Sequence, residues 1–486
     1  MNTKLEALAP SGIWVNFKNL TQIPRPSKKE ARIIEYVKSF GEGLGLETIV
    51  DSVGNVIIRK PANPGMENRK GIIFQSHLDM VPQKNSDKTH DFERDPIEAY
   101  IDDDWVKANG TTLGADNGIG VAAMLTVLES GNLKHGPVEC LFTIDEETGM
   151  TGAFALKAGL LKGDILLNLD SEDEGELYIG CAGGMDANIE FDYLSGAIPS
   201  DHAAYEIRVS GLKGGHSGLE INLGRGNSNL VLFRLLRKAE QAFNLRLCEF
   251  EGGNMRNAIP REAHATVLVP KSRKEDFEKL INYYKQVVGK ELAAVEPDFK
   301  IDTRETTQPA RVMESDLQNR VIASVFSCPN GVVRMTDGIP GLVETSTNLS
   351  IVKTTVDKIN INCLLRSSVD SAKENLSEVI RALFDLAGAR SVFTGSYPGW
   401  KPNMNSAIMG VMDEVYQKMY NKKMEIKAVH AGLECGIIGG VYPNLDMVSF
   451  GPTIRHPHSP DEKVNVPSVQ KFWDFLVKTL ESIPER

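Results

Sequence analysis

Cysteine is scarce in this chain. Its six cysteines, Cys140, Cys181, Cys248, Cys328, Cys363 and Cys435, are dispersed over 486 residues and form no CxxC pair. That excludes a disulfide framework and a cysteine-ligated zinc site, and leaves each thiol as a small core residue. Long apolar runs are missing too: no stretch approaches the roughly 18 apolar residues of a membrane span. Met1 to Trp14 lacks a basic segment followed by an apolar one, so no signal peptide is expected. Positive charge is in deficit, with a formal net charge of -11, and no basic stripe offers a grip on phosphate backbones or anionic lipid. The expectation is a cytoplasmic protein with no nucleic-acid and no membrane partner.

What remains is ordinary globular material. Apolar residues make up 41% and charged residues 24%, so disorder is not expected. The length exceeds what one hydrophobic core usually serves, which predicts two domains.

The first part of the chain reads as alternating strands and helices. Ser27 and Glu30 form a capping box ahead of Ile33, Ile34, Val37 and Phe40 at helical spacing. Residues 48–59 read as a hairpin around Ser52 to Asn55. Apolar runs at 71–76, 138–144 and 164–169 predict strands, and 116–131 predicts a helix with Val121, Met124, Leu125 and Leu128 on one face. This grammar defines an α/β domain, in which sites gather beyond the carboxyl ends of the strands. From about residue 187 the pattern changes to two βαββ-like stretches, 187–270 and 347–393, with a Lys/Glu-rich helical segment at 271–295 between them. The α/β grammar returns after Trp400. The expected architecture is a catalytic domain in two parts, 1–186 and 401–486, interrupted by a duplicated α+β lid at 187–400.

Seven residues carry the chemistry: His77, Asp79, Asp116, Glu146, Glu147, Asp170 and His458. Two imidazoles and several carboxylates at strand and loop ends supply the N and O ligands that suit zinc, with manganese or cobalt as substitutes. Gathered without metal, so many carboxylates would repel one another. Each element alone is weak, since Glu146-Glu147 also reads as a charged turn and His456 and His458 as turn residues. Their shared position at the ends of apolar runs favours a metal site.

The segments Ser-His77-Leu-Asp79-Met, Leu-Gly-Ala-Asp116-Asn-Gly-Ile-Gly, Asp145-Glu146-Glu147-Thr-Gly-Met-Thr-Gly and His456-Pro-His458-Ser-Pro-Asp-Glu resemble the M20 metallopeptidases. Asn168-Leu-Asp170-Ser-Glu-Asp-Glu-Gly and the long lid are similar to the aminoacyl-histidine dipeptidase branch of that family. The resemblance runs from about Ile13 to the C-terminus. It implies two Zn2+ per chain, bridged by Asp116, with His77 and Asp170 on one ion and Glu147 and His458 on the other. It also implies Glu146 as general base, Asp79 as the carboxylate orienting His77, and a cis peptide at Asp116-Asn117.

In the lid, His216 of Lys213-Gly-Gly-His216-Ser-Gly resembles the family's oxyanion-stabilising histidine; the alternative is a glycine-rich turn with an exposed histidine. Asn257, in Asn257-Ala-Ile-Pro260, matches a substrate segment of the family. Arg366 reads either as a clamp for a substrate carboxylate or as a structural ion-pair partner. Glu434 reads either as the receiver of a substrate amine or as a helix cap. His90, His135, His202 and His264 have no supporting neighbours. A duplicated lid could supply His216 in cis or receive it from a second subunit, so either a monomer or a homodimer suits the chain.

The resemblance implies a di-zinc dipeptidase of broad specificity, including Xaa-His dipeptides. The alternatives on the same scaffold are an aminotripeptidase, a carboxypeptidase or an N-acyl amino acid deacylase. A non-catalytic binding protein is disfavoured by the intact base.

Overall fold

A computed structural model describes residues 4–486. The chain divides into two compact units. The first comprises the chain up to Gly180, Trp400–Ala428 and Leu433–Arg486; the second comprises Cys181–Gly399 and Val429–Gly432. Residues 429–432, assigned from sequence to the second catalytic part, therefore cluster with the lid. No helix among the described residues is long and apolar enough to cross a membrane.

The first unit is built on an eight-stranded sheet. Its order is Glu47–Val50, Val56–Lys60, Val138–Thr143, Ile72–His77, Ile165–Asn168, Asp446–Ser449, Glu176–Cys181 and Glu425–Val429. The four strands from Val138–Thr143 to Asp446–Ser449 run parallel. Val138–Thr143, Ile72–His77 and Ile165–Asn168 are buried at every position, as strands covered on both faces must be. The expected hairpin at 48–59 is present, with Val50 opposite Val56.

The helix Ala115–Glu129 departs from the expected one-faced pattern, because every residue from Asn117 to Leu128 is buried. An all-round apolar helix belongs inside a layer. Helix Ser11–Thr21 packs on it closely enough that a Cβ on Gly12 would lie 2.6 Å from Thr126 Cγ2. The peptide Asp116–Asn117 is cis.

The capping box is a correction. Helix Ala31–Gly43 starts four residues after Ser27 and has no side-chain cap. Ser27 Oγ instead donates to Asp79 Oδ2 at 2.8 Å.

The second unit holds one antiparallel nine-stranded sheet whose halves share a strand order. In chain order, one half reads His202–Ser210, helix Ser228–Phe243, Arg246–Gly252, Ala263–Pro270, helix Lys274–Leu292, Lys300–Glu305. The other reads Gly183–Asp192, helix Ser315–Ser327, Val343–Thr354, Lys358–Ser367, helix Asp370–Leu386, Arg390–Tyr397. Each half places its four main strands in the order fourth, first, third, second. The halves meet at their second strands, where Glu251 faces Lys353 and Gly252 faces Val352. The half that begins at Gly183 thus encloses the other in sequence, unlike the expected tandem of 187–270 and 347–393. One apolar cluster runs through both halves, with edge-to-face contacts such as Phe233–Phe250 at 5.0 Å and Phe191–Phe384 at 6.3 Å.

Candidate active site

The parallel strands deliver the site. His77 ends Ile72–His77, Glu146 and Glu147 follow Val138–Thr143, and Asp170 follows Ile165–Asn168. These strands are neighbours and parallel, so their carboxyl ends share one edge. Asp116 comes from the first turn of Ala115–Glu129, and His458 from the loop after Ile454–Arg455.

Asp116 stands at the centre. Its Oδ1 lies 3.2 Å from His77 Nε2, and its Oδ2 lies 3.2 Å from His458 Nε2. His77 Nε2 is also 3.4 Å from Asp170 Oδ1, and His458 Nε2 is 3.0 Å from Glu147 Oε2. Two groups able to hold a cation therefore share one carboxylate: His77, Asp116 and Asp170, and Asp116, Glu147 and His458. His77, Glu146 and Glu147 form a third. Glu147 Oε1 is buried with no hydrogen-bond partner. A buried orphaned carboxylate oxygen beside imidazoles is what a metal ligand set presents, so the residues fit divalent metal.

The electrostatics agree. Burial pushes Glu146 well above the usual carboxylate range, with Asp170, Glu434 and Glu147 adding repulsion. Burial likewise lifts Asp170 to about 6 and Glu172 to about 8, each reinforced by neighbouring carboxylates. Hydrogen bonds to Asp116 and Glu147 raise His458 to about 11. The site holds a surplus of negative charge that bound cations would neutralise.

Asp79 is fully buried. Burial alone would raise it, yet His77 and backbone donors bring it down to about 2. Its Oδ1 is 3.3 Å from His77 Nδ1, Glu146 N donates to Oδ1 at 3.0 Å, and Glu147 N donates to Oδ2 at 3.3 Å. One carboxylate thus orients His77 and pins the Glu146-Glu147 turn. Asp145 N donates to the buried Glu30 at 3.1 Å, so three successive amides end on carboxylates. Asp145 (φ 51) and His458 (φ 59) both sit in the left-handed region. Such non-glycine conformations cost about 1–3 kcal/mol each and persist where surrounding bonds enforce them.

Sequence reasoning missed two buried charges. Glu462 accepts hydrogen bonds from the amides of Leu113, Gly114, Ala115 and Asp116, at 2.7, 2.9, 2.7 and 3.2 Å. Arg25 donates to the carbonyls of Leu78, Asp79 and Gly114, at 2.8, 2.9 and 2.6 Å. Glu462 lay inside the His456 to Glu462 motif without a role; nothing in the local sequence marks Arg25.

The second unit gathers its own candidates. His216 Nδ1 accepts from Gly218 N and Leu219 N at 3.1 and 3.0 Å, which leaves the ring proton on Nε2 as a donor. Burial, then the nearby Arg366, lowers its pKa, so the ring stays neutral. Asn257 O accepts from Ser217 N at 2.9 Å, beside the pairing of His216 with Ala258. Arg366 faces Ser346 across the sheet and donates to Tyr397 Oη at 3.3 Å. Among the described residues it forms no ion pair, and its Nε is buried without a partner. His430 Nε2 lies 2.7 Å from Ser346 Oγ. Gly218 is required here, since a Cβ would lie 2.2 Å from His430 O and within 3.2 Å of His216 and Arg366.

Glu434 belongs to the first unit. It opens helix Glu434–Val441 but makes no cap bond. Its Oε2 accepts from Gln75 Nε2 at 2.6 Å and from Thr143 Oγ1 at 2.7 Å, while Oε1 is buried without a partner. The four set-aside histidines join no metal-holding group among the described residues, and all six cysteines are buried.

Residues 73–482 match Peptidase family M20/M25/M40, and the chain belongs to this family of metal-dependent peptidases. It is 45% identical to the cytosol non-specific dipeptidase of Escherichia coli (strain K12) over 484 residues, covering 100% of both chains. Its structure resembles that of aminoacylhistidine dipeptidase from Vibrio alginolyticus with a TM-score of 0.95 and 50% identity, over 100% of this chain and 99% of that one. The aminopeptidase PepT of Bacillus cereus shares the fold at a TM-score of 0.57 and 17% identity, over 98% and 99% of the two chains.

Proposed function

We propose that this chain is a cytoplasmic di-zinc dipeptidase of broad specificity whose substrates include Xaa-His dipeptides. The observation that carries the reading is Asp116, with one oxygen toward His77 and the other toward His458. The names of the E. coli and Vibrio relatives support the substrate class and, for the former, the compartment.

His77, Asp116 and Asp170 would hold one Zn2+, and Asp116, Glu147 and His458 the other. Bound there, the ions lower the pKa of a water and polarise the scissile carbonyl. Glu146, ionised beside the bound cations, takes a proton from the attacking water and delivers it to the leaving amine. Asp79 keeps His77 and the Glu146 backbone in register for that transfer. The Nε2–H of His216 is the donor for the developing oxyanion. Arg366 receives the C-terminal carboxylate, with Asn257 as a further substrate contact, and the orphaned Oε1 of Glu434 receives the free amine. Two charged termini recognised together limit the substrate to two residues.

The first test is hydrolysis of β-Ala-His, Gly-His, Leu-Gly, a tripeptide and an N-acetyl amino acid, after chelation and again after zinc is restored. Zinc-dependent cleavage confined to the dipeptides is expected. Cleavage of the acylated substrate would move the function to a deacylase on this scaffold.

Arg366→Met should lower kcat/KM for dipeptides about 10- to 100-fold, the worth of a hydrogen bond to a charged group. It should also abolish any preference over the C-terminal amides of the same dipeptides. A surviving preference would place the carboxylate elsewhere.

A further inference from the structure

The helix that carries Asp116 is pinned at both ends by charged side chains, of which the one at its start is buried. At its far end Lys60 Nζ donates to the carbonyls of Val127, Leu128 and Ser130. At its start the Glu462 carboxylate, 2% exposed, takes four consecutive amides, the last being that of Asp116 itself. A plain helix cap accepts one or two amides. Four to one carboxylate fixes the whole turn 113–116, and hence the direction in which the Asp116 side chain leaves the backbone.

Arg25, 3% exposed, completes the arrangement from the other side. Its Nη1 binds the carbonyls of Leu78 and Asp79, just after His77, while its Nη2 binds that of Gly114, two residues before Asp116. A planar guanidinium has a fixed fork. It therefore sets the spacing between the loop that presents His77 and the turn that presents Asp116. Gly114 (φ 70) leaves room for this, because a Cβ there would lie 2.7 Å from Arg25 Nη2.

We propose that Glu462 and Arg25 are positioning residues for the bridging carboxylate: together they hold Asp116 with one oxygen toward each histidine. The inference rests on the reading of Asp116 as a shared metal ligand. Partners behind metal ligands typically contribute 10- to 100-fold in metal affinity. Because Asp116 belongs to both groups, loss of Glu462 should weaken both metal sites together, although it adjoins neither His77 nor Glu147.

The experiment measures binding of Zn2+ and Co2+ to the chelated, full-length protein by calorimetry, with the visible absorption of the cobalt form as a report of ligand geometry. Wild type, Glu462→Gln and Arg25→Lys are compared. Glu172→Gln serves as the control for altering a nearby carboxyl without touching the amides of 113–116, since Glu172 lies close enough to feel the charges of Asp116 and Asp170. Two binding events in wild type establish the metal reading; none would refute that reading before the variants are considered. Glu462→Gln should remain folded by circular dichroism, lose about 10- to 100-fold affinity at both sites and show an altered cobalt spectrum. Glu172→Gln should change affinity less and leave the spectrum alone. A folded Glu462→Gln protein with the wild-type spectrum and affinities, or with losses equal to those of Glu172→Gln, overturns the proposal. Should Glu462→Gln fail to fold, Arg25→Lys decides: it keeps the charge but loses the fork, so an unchanged spectrum and unchanged affinities overturn the proposal equally.

Discussion

Glu146→Gln should lower kcat by about 10²- to 10⁴-fold while both metal equivalents stay bound. That range is what a positioned general base contributes. Glutamine keeps the shape and the polar character of the side chain but cannot accept and return a proton. The backbone should not shift, because Glu146 N is held by Asp79 at 3.0 Å through an amide the substitution leaves untouched. The measurement is a steady-state kcat beside a calorimetric metal titration of the same sample. Lost metal together with lost rate would make Glu146 a ligand, an option the grouping of His77, Glu146 and Glu147 makes concrete. Retained rate would remove Glu146 from the mechanism.

Asp116→Asn should be more severe, with turnover falling to the level of the chelated wild type. Asparagine has one carbonyl oxygen and no charge, so it cannot serve His77 on one side and His458 on the other. Both metal equivalents should be lost at stoichiometric concentrations. Asp170→Asn, altering a residue grouped with His77 and Asp116 but not with Glu147 and His458, should lose one equivalent and keep the second. Equal losses in the two variants would mean that the sites are not joined through Asp116.

The legible part of the molecule was local. Strands such as Val138–Thr143 and Ile165–Asn168 lie within a residue or two of their expected bounds, because continuous apolar runs between polar ends are a strand signature within one window. The two histidines and their carboxylates could be read for the same reason: each motif is contiguous. What failed depended on distant partners. Ser27 has every mark of a helix cap, yet its hydroxyl meets a carboxylate that arrives 52 residues later. Arg25 and Glu462 look like surface charges until the carbonyls and amides that need them converge. The partner of His430, the Ser346 hydroxyl, lies 84 residues earlier in the chain. The lid was misread in a comparable way. Its tandem was expected side by side, whereas strand Gly183–Asp192 pairs with Lys358–Ser367 across the whole intervening half.

The sheet order also says something about biosynthesis. Strand Asp446–Ser449 lies between Ile165–Asn168 and Glu176–Cys181, inside the sheet, although it is the last of that sheet's strands to be synthesised. Until it arrives, the fully buried strand Ile165–Asn168 is an open apolar edge, the kind of surface that invites wrong pairings. His458 comes later still. A nascent chain therefore carries the site's carboxylates before the second imidazole is made, and a chain that stopped short of His458 would keep those carboxylates but lack the means to complete the group of Asp116, Glu147 and His458.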